Sequence, residues 1–287
     1  MINMVKKKVN KRKPVKIKSN KDIKTVKKFK KSMPIGIIIL LIIIGIIVVG
    51  FIGFGISVTS SGIFKNLFVI EVGSGNVISE TRDVSYFNEV DLRHTGNIYV
   101  TQGESNSLTI EAEDNIIPLL ITAIYDNKLL ISKDAVKVTW INNTKPINIY
   151  ITMKDINNLK INTSAKGNII SKSLITSDDL KLTINGSGYI IVETNTNNLE
   201  TNINGSGSVL LIGEATNHIF NLSGSGDLAA VELLTENTNI SISGSGNAKV
   251  NTSTKLNVKI SGSGDILYTG NPKISKTISG SGSVKQI

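Results

Sequence analysis

The chain of 287 residues contains no cysteine, only two histidines and a single tryptophan. The first absence excludes disulfides, thiol nucleophiles and thiolate metal centres, and His94 and His218 do not supply the paired imidazoles of a zinc site. No nucleophile elbow and no phosphate loop occur in the sequence. Its Gly-Ser-Gly segments are not followed by a helix start or a lysine in the place a phosphate cradle requires. Glu111, Glu113 and Asp114 lie close together, but external strand faces commonly carry solvated acids. Glu193, Glu214, Glu232 and Asp265 fall at different positions relative to the repeat described below, so they do not form the facing carboxylates of a glycosidase. The sequence therefore predicts no enzyme, no cofactor and no metal site.

Charge is missing from a long stretch as well. No Asp, Glu, Lys or Arg occurs between Lys31 and Lys65, and within that gap Ile35 to Ile56 reads IGIIILLIIIGIIVVGFIGFGI. As a helix these 22 residues would extend roughly 33 Å, enough for the hydrocarbon core of a bilayer. A signal peptide is the competing reading, but its apolar region would be about 7 to 15 residues and end in a small-residue cleavage site. The sequence predicts an uncleaved transmembrane helix at 33–58. The formal charge of +10 is equally local: residues 1–32 hold 14 of the 32 Lys and Arg and one of the 22 acids, leaving 18 basic against 21 acidic residues in the rest. A tail this basic beside an apolar span sets topology, with the N-terminus cytoplasmic and the remainder outside the cell membrane. Phe29 is the only aromatic residue in the tail, so nucleic-acid binding by interleaved stacking is not expected.

What the chain has in abundance is a period. Gly-Ser-Gly begins at Gly186, Gly205, Gly224, Gly244, Gly262 and Gly280, at intervals of 19, 19, 20, 18 and 18 residues. A repeat of that length holds two or three short strands and their turns, which suits one coil of a β-solenoid. Positions six, four and two before the motif are apolar, as in Leu180, Leu182 and Ile184 or Leu256, Val258 and Ile260, with polar residues between. That alternation marks a strand with one buried face. Stacked coils would align Ile184, Ile203, Leu222, Ile242, Ile260 and Ile278 in one interior ladder. Ile190, Val209, Leu228, Ala248, Ile266 and Val284 would form a second, and Val192, Leu211, Ala230, Val250 and Tyr268 a third. His218 falls in an inward column with Leu180, Leu199, Leu256 and Ile274 and reads as a tolerated core substitution. The glycine pairs Gly186/Gly188, Gly205/Gly207, Gly224/Gly226, Gly244/Gly246, Gly262/Gly264 and Gly280/Gly282 read as corners. The alternative is that the serines from Ser187 to Ser281, with Asp227, Asn247 and Asp265, form an exposed stripe for a glycan or cation. A regular Asp in a nine-residue repeat, the calcium-binding pattern, is absent.

Before the repeats, 59–70 reads as a linker and the folded domain as 71–287. This stretch carries another Gly-Ser-Gly at Gly73–Gly75 and a looser copy at Thr95-Gly96-Asn97. Asp114 to Tyr125 is the one segment expected to be helical outside the membrane, limited by Pro118 and covering an end or side of the solenoid. For Trp140 the alternatives are a ligand platform and burial against the sheet, of which burial is expected. The run Phe87…Val90-Asp-Leu92…Gly96-Asn-Ile98-Tyr-Val100-Thr-Gln-Gly103, then Leu108-Thr-Ile110 and Asn127-Lys-Leu129-Leu-Ile131, resembles the start of the head GIN domain. This family is common in bacterial envelope proteins and is designated an auto-transporter adhesin. The resemblance covers about 71–287 and implies a β-rich, solenoid-like extracytoplasmic domain with no established activity.

These readings converge on a single-pass membrane protein displaying an all-β solenoid as a surface or cell-wall interaction module. Candidate partners are a cell-wall or surface polysaccharide or another envelope protein, with self-association through an exposed terminal strand edge. The candidate polar binding row is Thr183, Asn202 and Asn221, one residue from each of three successive coils. The competing function is envelope sensing, with the basic tail relaying the signal; a passive structural role in the envelope is the third.

Overall fold

The computed structural model describes residues 69–163 and 166–287. Its strands stack in parallel, each coil lying directly on the next in the register the repeats require. Ile175–Gly186 pairs with Tyr189–Gly205, which pairs in turn with Ser208–Gly224, Asp227–Gly244 and Ala248–Gly262. Lys273–Ser279 and Ser283–Gln286 make the last coil. Glycine pairs with glycine along the stack, from Gly186 through Gly205, Gly224 and Gly244 to Gly262.

The interior ladders follow from this register, and they run further toward the N-terminus than the repeat does. The first extends from Ile184 to Ile161, Leu92 and Ile131, and the second from Ile190 to Ile169, Ile98 and Ile149. All eight of these side chains are buried. The coils at that end are not stacked in chain order. Glu89–Leu92 lies between Lys128–Lys133 and Asn158–Thr163, and Gly96–Gln102 lies between Asn148–Met153 and Gly167–Ser171. A continuous apolar core forms regardless, because each coil buries its inward side chains against the coil on either side.

The segment expected to be helical is a strand. A single 3-10 turn, Ile117–Leu119, holds Pro118, and Leu120–Tyr125 then pairs antiparallel with Lys128–Lys133. The joining residues Asp126 and Asn127 have φ of 50° and 58°, the left-handed pair of a tight hairpin turn. β-Branched Ile121, Thr122 and Ile124 favour the extended form, and an end of a parallel stack exposes backbone groups that only another strand can pair. Arg82 fixes the segment by donating to the carbonyls of Leu120 at 2.7 Å and Ile117 at 3.0 Å. Ser107–Glu113 covers Asn148–Met153 in the same antiparallel sense, and Val77–Arg82 covers Ser107–Glu113.

Trp140 is also placed differently from the expectation. It sits in the short strand Trp140–Asn142, which pairs only with Ile70–Val72 among the described residues, and it is 64% exposed. No helix among the described residues is long and apolar enough to cross a membrane. The apolar run 35–56, the basic tail and most of the linker lie outside those residues.

The core is not wholly apolar. Thr194, Thr196, Thr201, Thr235, Thr238, Thr252 and His218 are buried inside the coils. Their hydroxyls are satisfied internally: Thr194 donates to the Ile175 carbonyl at 2.9 Å, and Thr235, Thr238 and Thr252 bond one another at 2.7 to 3.1 Å. His218 stands between Leu199 and Thr238 in its column. Its Nε2 is 3.1 Å from the Thr201 hydroxyl, while Nδ1 has no partner.

Candidate binding surface

The two glycines of each pair do different things at the corner. The first, at Gly186, Gly205, Gly224, Gly244, Gly262 and Gly280, has φ between 125° and 136° and turns the chain. The second, at Gly188, Gly207, Gly226, Gly246, Gly264 and Gly282, does not have positive φ. They are glycine because the coil beneath leaves no room for a side chain. An added Cβ would lie 2.0 Å from the Gly167 carbonyl oxygen at Gly188 and 2.6 Å from Ile184 Cγ2 at Gly207. It would lie 1.9 Å from the Gly226 oxygen at Gly246, 2.2 Å from the Gly246 oxygen at Gly264 and 2.3 Å from the Gly264 oxygen at Gly282. The first glycines are excluded by the same crowding, since a Cβ on Gly224 would lie 2.3 Å from the carbonyl oxygen of Gly205. Any side chain at these positions would push the coils apart. The serine between the glycines points outward and is exposed, while its N–H donates to the coil beneath, as Ser225 does to Gly205 at 2.9 Å.

The residues just after the motif are engaged with one another. Asp227 accepts from the Asn247 N–H at 3.0 Å, Asn247 from the Asp265 N–H at 3.0 Å, and Asp265 from the Ser283 N–H at 2.8 Å. The Ser283 hydroxyl and N–H hold the Asp265 carboxyl below its ordinary value. Each side chain thus caps the coil above it. Among the described residues no three His, Cys, Asp or Glu converge in a way that could hold a metal ion.

Two outward faces flank the corner. On the face before it, Thr183, Asn202 and Asn221 are aligned by the strand register. Thr183, however, is only 8% exposed, so the row opens to solvent from Asn202 onward. The amides there are tied along the stack. Asn221 donates to Asn202 at 3.0 Å, and Asn202 donates to Glu200 at 2.8 Å. Glu200 also pairs with Lys181 at 2.9 Å, and these two partners, Asn202 first, lower its pKa. A parallel ladder joins Asn237, Asn217, Asn198 and Asp179 at 2.9 to 3.1 Å. Each ladder amide uses one N–H and keeps the other for solvent or a ligand.

On the face after the corner the outward row is apolar for much of its length. Tyr150, Tyr99, Ile170, Ile191, Leu210 and Ala229 follow one another in register. Sequence reasoning missed this row because Ile191 and Leu210 stand among inward apolar residues and blur the alternation.

The Gly-Ser-Gly at Gly73–Gly75 makes no coil corner. It wraps the fully buried Glu113, whose carboxylate accepts from the N–H groups of Gly75 at 2.8 Å and Thr144 at 2.9 Å and from the Thr144 hydroxyl. Burial raises the Glu113 pKa, but these hydrogen bonds together outweigh it and hold the group below the ordinary carboxylate value. Gly73 is required because a Cβ there would overlap the carboxylate, 2.0 Å from Oε2. This arrangement anchors the N-terminal strand.

A stack of parallel coils with glycine corners and long outward faces of repeated side chains is a β-solenoid scaffold. The chain belongs to the head GIN domain family: the family described as "Putative auto-transporter adhesin, head GIN domain" matches residues 86–272. A crystal structure from Bacteroides fragilis NCTC 9343, described as a "putative adhesin", aligns with TM-score 0.70 and 30% identity over 75% of this chain and 99% of that one. A "putative adhesin" from Parabacteroides merdae ATCC 43184 gives TM-score 0.63 and 24% identity, covering 76% of this chain and 99% of that one. A "putative lipid binding protein" from Parabacteroides distasonis ATCC 8503 gives 0.65 and 23%, again covering 76% and 99%. At those identities the two Parabacteroides proteins share the fold. No curated protein matches the chain significantly.

Proposed function

We propose that the chain is a non-catalytic surface-interaction module, anchored by the apolar segment 35–56 with its basic tail inside and its solenoid outside, and that it holds a cell-wall or surface polysaccharide. The observation that carries this reading is the register of the outward faces, where like side chains recur on successive coils about 4.8 Å apart. A polymer with its own short repeat can make the same weak contact many times along such a face, and affinity accumulates by multivalency. The adhesin designation of the family and of the Bacteroides fragilis structure supports it.

The test is co-sedimentation of the detergent-solubilised full-length protein with purified cell-wall sacculi and with whole foreign cells. Saturable binding is the expected result. A folded, monodisperse protein that stays in the supernatant with both would remove this function and leave a membrane-protein partner or a passive envelope role.

A further inference from the structure

The face that follows the corner differs in chemistry from the amide-rich face before it. Its central row is uncharged from Tyr150 to Ala229, with Ile170, Ile191 and Leu210 half-buried and Tyr150 and Ala229 exposed. Where Ile191, Leu210 and Ala229 meet, the surface dips into a groove of about 430 Å³, bounded on one side by Tyr189, Ser208 and Asp227. Tyr189 is 40% exposed at the head of that polar edge. Further toward the N-terminus the edge is an amide ladder, in which Asn168 donates to Asn97 at 2.8 Å and Asn97 to Asn148 at 3.0 Å. Each of these amides retains a second N–H.

The dimensions select the occupant. Five coil steps of about 4.8 Å make the apolar row roughly 24 Å long, and it is one side chain wide, about 7 Å. The resulting area, roughly 170 Å², is far below the ~800 Å² per partner that a stable protein interface buries. An α-helix, about 10–12 Å across, would overhang the row on both sides and set its flanks against polar edges. A single extended sugar chain fits better. In a β-1,4-linked glycan each pyranose presents a flat C–H face and equatorial hydroxyls at its rim, and the chain advances by nearly one coil spacing per sugar. The C–H faces would rest on the apolar row and the hydroxyls would meet the polar edge. Glu193 and Glu232 lie on the other flank and Asp227 opposite, while Lys172 stands over the Tyr99 ring at 5.1 Å and Lys249 follows Ala229 in register, so the charges around the row are mixed and select neither sign of polyelectrolyte.

We propose that this row, centred on Ile191 and Leu210, is a binding track for an uncharged β-1,4-linked glycan lying along the solenoid axis. The proposal rests on the polysaccharide-binding function above and names its face and its ligand class. The test uses full-length protein in detergent, with insoluble cellulose, insoluble chitin and soluble cellohexaose as probes, and calorimetry for the soluble one. Ile191→Lys and Leu210→Lys each place a charge on the track without touching the interior. Ser275→Ala alters an exposed residue of the last coil, ahead of its corner. Binding to at least one probe is expected, weakened about tenfold or more by either lysine and changed less than about twofold by Ser275→Ala, with thermal midpoints alike in all four proteins. If one lysine variant unfolds, the other decides. Unchanged binding by a folded lysine variant would overturn the proposal. So would wild-type protein that sediments with sacculi but ignores all three probes, an outcome that leaves the broader function standing. Binding to sacculi that disappears when they are stripped of protein would assign the surface to a protein partner instead. Failure with sacculi, whole cells and probes together would remove both readings.

Discussion

Acid should destabilise this solenoid well above the pH at which carboxylates protonate, and His218 is the reason. Its ring is 1% exposed and its Nδ1 has no hydrogen-bond partner. Burial alone lowers its pKa from 6.5 to about 4. The unfolded chain therefore takes up a proton at this residue below about pH 6.5, while the folded chain does so only near pH 4. Stability is complete above the unfolded value, falls as pH drops between the two, and levels off below the lower one. At about 1.4 kcal/mol per pH unit the whole window is worth roughly 3 kcal/mol, of which about 2 kcal/mol is lost between about pH 7.5 and pH 5. His94 adds to the loss with the same sign, since burial lowers its pKa against the hydrogen bond to the Thr95 carbonyl. The lowered carboxyls of Glu200 and Asp265 contribute only at more acid pH. Urea unfolding at both pH values, for the wild type and for His218→Leu, measures the effect. Leucine is already the residue of this column at Leu199 and Leu256. The variant should lose about 2 kcal/mol less than the wild type between the two pH values. An equal loss in both proteins would refute the assignment to His218.

Other perturbations separate the parts of the fold. Gly246→Ala should cost at least about 3 kcal/mol, because its methyl meets the Gly226 carbonyl, whereas Gly75→Ala, with φ of 83° and open space around it, should cost about 1 kcal/mol in the same urea titration. Ile203→Ala, in the middle of a ladder and fully buried, should cost about 3 kcal/mol, and Ile278→Ala, half-buried in the last coil, less than about 1 kcal/mol; equal costs would deny that stability accumulates coil by coil. Glu113→Gln should leave the repeat coils intact but speed protease cleavage near Gly73, because an amide cannot accept at both ends from Gly75 and Thr144. Unchanged cleavage would show that the carboxylate does not anchor that strand.

The solenoid was legible because its determinants are local and repeated. A glycine that cannot carry a Cβ recurs every 18 to 20 residues, and the strict alternation before it leaves one choice of buried face. Which glycine of a pair turns the chain was not legible, because Gly205 and Gly207 look alike in sequence and differ only in what the neighbouring coil brings against them. The N-terminal end was less legible for a related reason. Leu120–Tyr125 becomes a strand through Lys128–Lys133 and Arg82, partners that propensity in a twelve-residue window does not reveal. Leu92 and Ile131 share a ladder although residues of another coil separate them from Ile161 in the chain order. Exposure was the hardest property to read. Thr183 is polar and lies in an outward row, yet its neighbours Lys160 and Asn202 leave it 8% exposed.

The two faces differ in chemistry in a way that composition conceals. Asparagine is frequent on the face before the corner, but its ladders spend half of each amide's donors on the next coil, which stabilises the stack as much as it offers contacts outward. The face after the corner leaves Ile170, Ile191 and Leu210 without an outer partner among the described residues, although polar side chains there would keep the same backbone register. Apolar area on an outward strand face contributes nothing to the interior ladders and adds a risk of association at open surfaces. Its persistence over consecutive coils is therefore better accounted for by something that covers it than by folding, and a narrow polymer lying on the row would do so without requiring the width of a protein interface.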